Sequence, residues 1–403
     1  MGTEKEAPNK NGDVKAVAPS WRLTSLDALR GFTMLWIIGS DNLYEALNHI
    51  AAKGGEPIKD LAVLAQSGWA GFLANQLKHR SWEGFVYYDL IFPMFVFIVG
   101  VSVVFSLQKM VAKEGKAAAY KRIFKRFVLM FLLGVFYDEG VALLYKVTES
   151  GAIDYNEFDE NVLCGVLQRL ALCYLFTSLL FINLKPKALV GVFVAIMIGY
   201  WALLTFVPAP GAAEATFARG ENISHWIDKQ LPPYYGTDPE GYFSTFPAVC
   251  SCLLGVFAAF LIQNKEVSAQ RKVMIMVVGG VLMIVAGYVW GLQFPVIKRL
   301  WTSSYVLVTG GYSFVLLGLF YQVIDIWNYQ KWCIPLIWVG ANPLTIYMAT
   351  NMVDFDAIAK RFVGGPVEAS LGLYGPLTVW FVSMLICFAL LRFLYHRKIF
   401  LRV

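Results

Sequence analysis

The chain has 403 residues, of which 58% are hydrophobic and only 15% charged, against roughly 25% charged in a soluble domain. With a mean hydropathy of +0.56, the apolar residues cannot all shelter in one water-surrounded core, so the bilayer must act as part of the solvent. This excludes soluble enzymes, nucleic-acid-binding modules and disordered scaffolds, and the net charge of +6 matters chiefly through how Lys and Arg divide between the loops.

Residues 1–24 open with a Lys-, Glu-, Asn- and Pro-rich stretch without an apolar core, which reads as a disordered cytoplasmic tail and not as a signal peptide. The rest, 25–403, reads as one all-α, polytopic membrane domain. Its apolar runs fall at 28–48, 85–107, 127–145, 163–183, 187–206, 243–263, 273–293, 302–325, 333–352 and 376–395. Each approaches the roughly 20 residues that a helix needs to cross the hydrocarbon layer. The runs are continuous and do not alternate in polarity, which argues against a β-barrel. With the N-terminus inside, 22 of the 34 Lys and Arg fall on the inner side and 11 on the outer, with Arg169 left within a span. Positive-inside bias then places both termini in the cytoplasm. The outer loops 147–162 and 207–242 are acidic, and the second is long enough to carry structure of its own. The six cysteines show neither zinc-ligand nor disulfide-framework spacing, so they read as packing residues and no metal is expected. No internal repeat of the inverted-transporter kind is evident. Gly279-Gly280 and Gly287-x-x-x-Gly291 suit close helix packing within the chain or in a homodimer.

Ionisable residues at bilayer depth are expensive and usually line a polar cavity or pair with one another. Here they are Asp41 and Glu45, Asp89, Asp138 and Glu139, and Arg169 beside Gln168. One arginine cannot neutralise five carboxylates, so the set favours a polar cavity. Asp41 and Glu45, four apart, share a helical face near the outer end of the first span. His79 lies just before the second span, ten residues from Asp89. A histidine at the mouth of a low-dielectric cavity, its tautomer set by a carboxylate, suits a general base near neutral pH. Ten residues of helix would nevertheless hold the two about 15 Å apart unless the loop folds back.

The stretch Ser25-Leu26-Asp27-Ala28-Leu29-Arg30-Gly31, then His79-Arg80-Ser81-Trp82-Glu83-Gly84, then Asp89-Leu90-Ile91-Phe92-Pro93 through Gly100, resembles the heparan-α-glucosaminide N-acetyltransferase family. The similarity continues through Gly165-Val166-Leu167-Gln168-Arg169-Leu170, Asp238-Pro239-Glu240-Gly241, Lys298-Arg299-Leu300-Trp301-Thr302-Ser303-Ser304-Tyr305 and Gly340-Ala341-Asn342-Pro343-Leu344. The resemblance implies transfer of an acetyl group from cytoplasmic acetyl-CoA to an amino sugar or related glycan on the other side of the membrane. The family's active histidine falls on His79 and its following aspartate on Asp89. The remaining blocks put Asp41, Asn42, Ser81, Trp82, Asp238, Glu240, Trp301 and Asn342 on the acceptor side. One departure is visible: where the lysosomal enzymes carry an asparagine late in the first helix, Asp41 stands here, followed by Asn42. A carboxylate in place of an amide changes which polar group the site can satisfy. Together with the short N-terminal region, this suggests a bacterial inner-membrane relative.

On that reading His79 accepts the proton of the attacking amine, or carries the acetyl group itself. The phosphates of CoA need cations: Arg169 with Gln168, and Arg126 of the cluster Lys121, Arg122, Lys125 and Arg126, are the candidates, although the cluster equally suits a topology determinant. The alternative is a proton-coupled sugar or amino-sugar permease whose intramembrane acids relay protons.

Overall fold

The computed structural model describes residues 23–139, 165–231 and 241–401. Residues 1–22 of the expected tail, the loop 147–162, and Asp238 and Glu240 lie outside these residues, whereas Leu23 and Thr24 cap and open the first helix. Among the described residues the fold is all-helical, and its only strand-like pairing is an isolated antiparallel bridge between Glu83 and Ile297.

The first described helix is α1 (Thr24–Ala51), followed by two short helices, α2 (Leu61–Gln66) and α3 (Gly68–Gln76). The Leu23 cap of α1 has no polar side chain, and Asp325 Oδ2 instead accepts the Ser25 N–H at 3.2 Å. A carboxylate from the far end of the chain thus satisfies one orphan donor of the first helix. The next element, α4 (Tyr87–Glu139), runs unbroken except at Gly115, whose φ of 83° and ψ of 174° are not helical. Val99, Ser102 and Ser106 before it face the same cavity as Arg122, Arg126 and Met130 after it. The halves therefore double back on each other about Gly115, where only a residue without Cβ takes this backbone readily.

Beyond it come α5 (Val166–Asn183), α6 (Pro186–Phe206), the short α7 (Ile223–Lys229), α8 (Thr245–Gln263), α9 (Ala269–Gly291) and α10 (Ser303–Phe320), the last extended by a π-turn. A pair of half-length helices, α11 (Ile334–Ala341) and α12 (Pro343–Met352), meets at a 67° bend at Asn342. The chain closes with α13 (Phe355–Val363), α14 (Pro366–Ser370) and α15 (Gly375–His396).

Among the described residues, seven helices are long and apolar enough to cross a bilayer, and the α11–α12 pair makes an eighth if it counts as one span. This differs from the ten runs read in the sequence for two reasons: α4 counts once although it folds back, and α1 carries Asp27, Arg30, Asp41 and Glu45 and is not among the seven. The main core joins the first half of α4 to α5, α8 and α10. Two crossings are equally close: that of α4 and α8, where a Cβ on Gly100 would collide with the Cys252 carbonyl and one on Gly255 with that of Phe97, and that of α1 and α11, where Gly31 meets the Leu336 carbonyl and Gly340 that of Asp27. Of the α9 glycines, Gly280 and Gly287 lie against Gly311 and Val308 of α10 and Gly291 against Val296, while a Cβ at Gly279 would meet nothing within 4 Å.

Candidate active site

Between α3 and α4 the chain turns back on itself, and Gln76 Oε1 accepts the Tyr87 N–H at 3.2 Å to hold the turn. His79 is carried to the first turn of α4, where its Nδ1 lies 2.7 Å from Asp89 Oδ1. The sequence separation of ten is thus closed by the loop. Asp89 is fully buried, while the His79 side chain remains 43% exposed, so the base is reachable and its support is dry. The second carboxylate oxygen accepts the Val86 N–H at 3.2 Å, and the Asp89 carbonyl accepts the Tyr305 hydroxyl at 2.7 Å. At the positive end of α4 the carboxylate also gains from the helix dipole. The imidazole lies flat on Tyr88, centroids 4.3 Å apart. With Nδ1–H directed at Asp89, Nε2 presents its lone pair outward, the protonation pattern of a general base.

A second loop, 294–302, is fastened against this turn. The Gly84 N–H donates to the Val296 carbonyl at 3.0 Å and Glu83 pairs with Ile297, which brings the Lys298 ammonium within 3.1 Å of His79 Nε2. Trp301, expected on the acceptor side, is completely buried, with its indole N–H donated to Ser251 Oγ at 3.1 Å. Trp82 donates its indole N–H to the Phe217 carbonyl at 2.9 Å and sits edge-on to His225, so it ties the turn to the outer segment before α7. Ser81 is exposed.

The structure separates Asp41 from Asn42. Asp41 is within electrostatic reach of Tyr88 and Tyr137, beside the histidine, whereas Asn42 lines a different outer cavity with Glu45, His49 and Lys59. Asn342 is fully buried at the helix break, and neither end of its amide has a hydrogen-bond partner. Gln168 and Arg169, adjacent in sequence, also part ways: Gln168 Nε2 donates to Asp138 Oδ2 at 2.6 Å, and Arg169 Nη2 donates to the Gly241 carbonyl at 2.6 Å while its guanidinium lies over Trp301. Arg169 stands close to Asp228 of α7, whose carboxyl burial pushes up to about 6 although it accepts the Phe243 N–H. In the same helix, burial together with the Lys229 and Arg219 charges pushes the His225 imidazole down to about 4.

Arg126 stacks on Tyr174, 4.7 Å from its ring centre, and with Arg30 and Arg122 lines one end of a cavity of about 350 Å³. Arg30 Nη2 donates to Ser102 Oγ at 2.9 Å and Nη1 to Asp27 Oδ1 at 3.2 Å. From Ser106 the cavity follows α4 to Phe92, about 20 Å along the helix axis, and Phe92 is one turn from Asp89. Arg30 and Lys298 were given no role by sequence reasoning. Each nevertheless lies in a motif block, Arg30 three residues after Asp27 and Lys298 three before the buried Trp301, and those spacings were the available signal.

Residues 66–287, more than half of the chain, match the family model described as heparan-alpha-glucosaminide N-acetyltransferase, catalytic. The match takes in His79, Asp89, Arg126, Gln168 and Arg169. The chain is similar to the human heparan-alpha-glucosaminide N-acetyltransferase, 24% identical over 333 residues that cover 69% of this chain and 49% of the human protein. It is likewise similar to the mouse protein of the same name, 23% identical with the same coverage. The chain therefore spans about half the length of the curated relatives it matches. With its histidine–aspartate pair inside a matched stretch that covers more than half of the sequence, this apolar, multi-helix chain belongs to the heparan-alpha-glucosaminide N-acetyltransferase family.

Proposed function

We propose that this protein transfers an acetyl group from acetyl-CoA, bound from the side of the membrane that holds both chain termini, to an amino sugar or related glycan on the opposite side. The observation that carries the reading is the cavity running from Arg30, Arg122 and Arg126 to within one turn of Asp89. Three guanidiniums suit the phosphates of CoA. The apolar stretch between Val99 and Phe92 suits an extended pantetheine arm, which would deliver the thioester toward His79. His79, its Nδ1–H held by Asp89, takes the proton from the attacking amine. Asp41 beside Tyr88 suits the recognition of an ammonium group, in keeping with an amine acceptor.

The same geometry supports the orientation expected from the division of Lys and Arg between the loops. Splitting α4 at Gly115, and counting α1 and the bent pair, gives ten crossings. The 22 inner basic residues, the three cavity arginines among them, then lie on the cytoplasmic side, with His79 outside. The test is calorimetric titration of the purified protein with acetyl-CoA. A charge-assisted hydrogen bond contributes about 1.5–3 kcal/mol, so Arg122→Ala or Arg126→Ala should each weaken binding about 10- to 100-fold. Wild-type protein that does not bind acetyl-CoA would refute the reading, as would arginine variants of unchanged affinity.

A further inference from the structure

The Lys298 ammonium lies 3.1 Å from Nε2 and 3.2 Å from Nδ1 of His79. The two distances are nearly equal, so the ammonium sits over the Cε1 edge of the ring, beside Nε2, the atom through which this histidine can act as a base while Nδ1–H is held by Asp89. Its loop is over-determined. Besides the Gly84–Val296 bond and the Glu83–Ile297 bridge, Thr302 Oγ1 donates to the Pro295 carbonyl at 2.9 Å and accepts the Ile297 N–H at 3.1 Å. Trp301 is held at φ 51° while fully buried. A bulky residue in that left-handed region costs about 1–3 kcal/mol and persists only where surrounding contacts enforce it. Strain of this kind, three residues beyond a lysine that touches the base, is what a positioned functional group requires.

We propose that Lys298 is a catalytic residue that stabilises the oxyanion of acetyl transfer. The proposal rests on the acetyltransferase reading above. Before substrate binds, the ammonium sits beside Nε2 of His79 and leaves its lone-pair direction open. When the acceptor amine hydrogen-bonds to Nε2, the ammonium stands next to the thioester carbonyl oxygen, which must lie within a few ångströms of the same nitrogen. The amine lone pair forms the new N–C bond as the carbonyl π pair moves onto oxygen, opposite the Lys298 charge. Return of that pair breaks the C–S bond. The amine proton passes to His79 Nε2 and then to the CoA sulfur, so the products are one amide and one thiol and the base is regenerated. A fixed donor aimed at a developing oxyanion is worth about 10²–10³ in kcat.

The experiment uses the full-length protein with acetyl-CoA and glucosamine as the probe acceptor, measuring kcat, KM and acetyl-CoA affinity for wild type, Lys298→Met, Lys298→Gln and Lys298→Arg. Rates are normalised to the fraction that binds acetyl-CoA, so loss of folded protein cannot pass for loss of catalysis. The expected result is a kcat lower by about 10²–10³ for Lys298→Met, a similar loss for Lys298→Gln, unchanged acetyl-CoA affinity, and partial recovery with Lys298→Arg, which keeps the charge. Wild-type kcat in the Met and Gln variants would overturn the proposal and leave the acetyltransferase reading intact. Wild-type protein that acetylates no amine would overturn that reading, and this proposal with it.

Discussion

Replacing Asp89 by asparagine keeps the shape of a fully buried side chain and changes only its hydrogen-bond capacity. The carboxylate accepts from two directions, from His79 Nδ1 at 2.7 Å and from the Val86 N–H at 3.2 Å. An amide has one acceptor and cannot serve both. If its oxygen keeps His79, the NH2 group faces the Val86 N–H, and an unsatisfied buried donor costs about 1–3 kcal/mol. If its oxygen keeps Val86, the NH2 group faces Nδ1, the ring proton moves to Nε2, and the lone pair that would accept the acceptor's proton is lost. Either outcome also removes the charge that favours the imidazolium during transfer. Loss of a positioned base lowers the rate by about 10²–10⁴. The assay is CoA release with glucosamine as acceptor, alongside acetyl-CoA titration and thermal denaturation. Turnover should collapse while acetyl-CoA affinity holds, because Asp89 lies at the opposite end of the cavity from its arginines. An Asp89→Asn protein that turns over like wild type would refute the claim that this carboxylate sets the histidine's tautomer.

Gly100→Ala inserts a Cβ into the Cys252 carbonyl at the tightest crossing of the main core, and should destabilise the protein by about 1–3 kcal/mol or more, read as a lower melting temperature; an unchanged melting temperature would mean that α4 and α8 do not meet this closely. In the outer α7, the Asp228 carboxyl, raised to about 6 from 3.8, contributes stability in its protonated form that is lost as pH rises through about 6. The His225 imidazole, lowered to about 4 from 6.5, contributes stability in its neutral form that is lost as pH falls toward 4. The slopes oppose each other, so Asp228→Asn should leave protection that rises with pH and His225→Gln protection that falls, measured by hydrogen exchange of 209–231; parallel profiles in the two variants would contradict the assignment. A cysteine at Gly115 should react with a membrane-impermeant reagent only from the cytoplasmic side.

The parts of this site that were legible in the sequence are those where one residue acts alone. His79 stands out because histidine is scarce, and Asp89 because a carboxylate inside an apolar run has to be used. Their contact was not legible, since it depends on a turn held by Gln76 and on Tyr305 from a helix more than two hundred residues away. Asp41 and Asn42 looked like one feature, yet adjacent residues on a helix point about 100° apart and these two serve different cavities. Arg169 looked like the cation of the bilayer because it sits mid-run. It packs on Trp301 and the Gly241 carbonyl, while Arg30, which resembled an ordinary inner-side topology signal, lines the cavity together with Arg126, whose cluster suited CoA phosphates and topology alike. Basic residues near helix ends serve topology and anion binding with the same side chain, and only the fold shows which of them converge.

The central claim, that one fold takes an acetyl group from one side of the membrane and delivers it to the other, is tested most directly in sealed proteoliposomes with acetyl-CoA on the cytoplasmic side and glucosamine on the other. The account predicts that N-acetylated sugar appears in the glucosamine compartment while an equal amount of free CoA appears on the acetyl-CoA side, and that His79→Ala abolishes both signals without abolishing acetyl-CoA binding. Glucosamine that crosses unmodified, or acetylated sugar that forms only on the acetyl-CoA side, would contradict it.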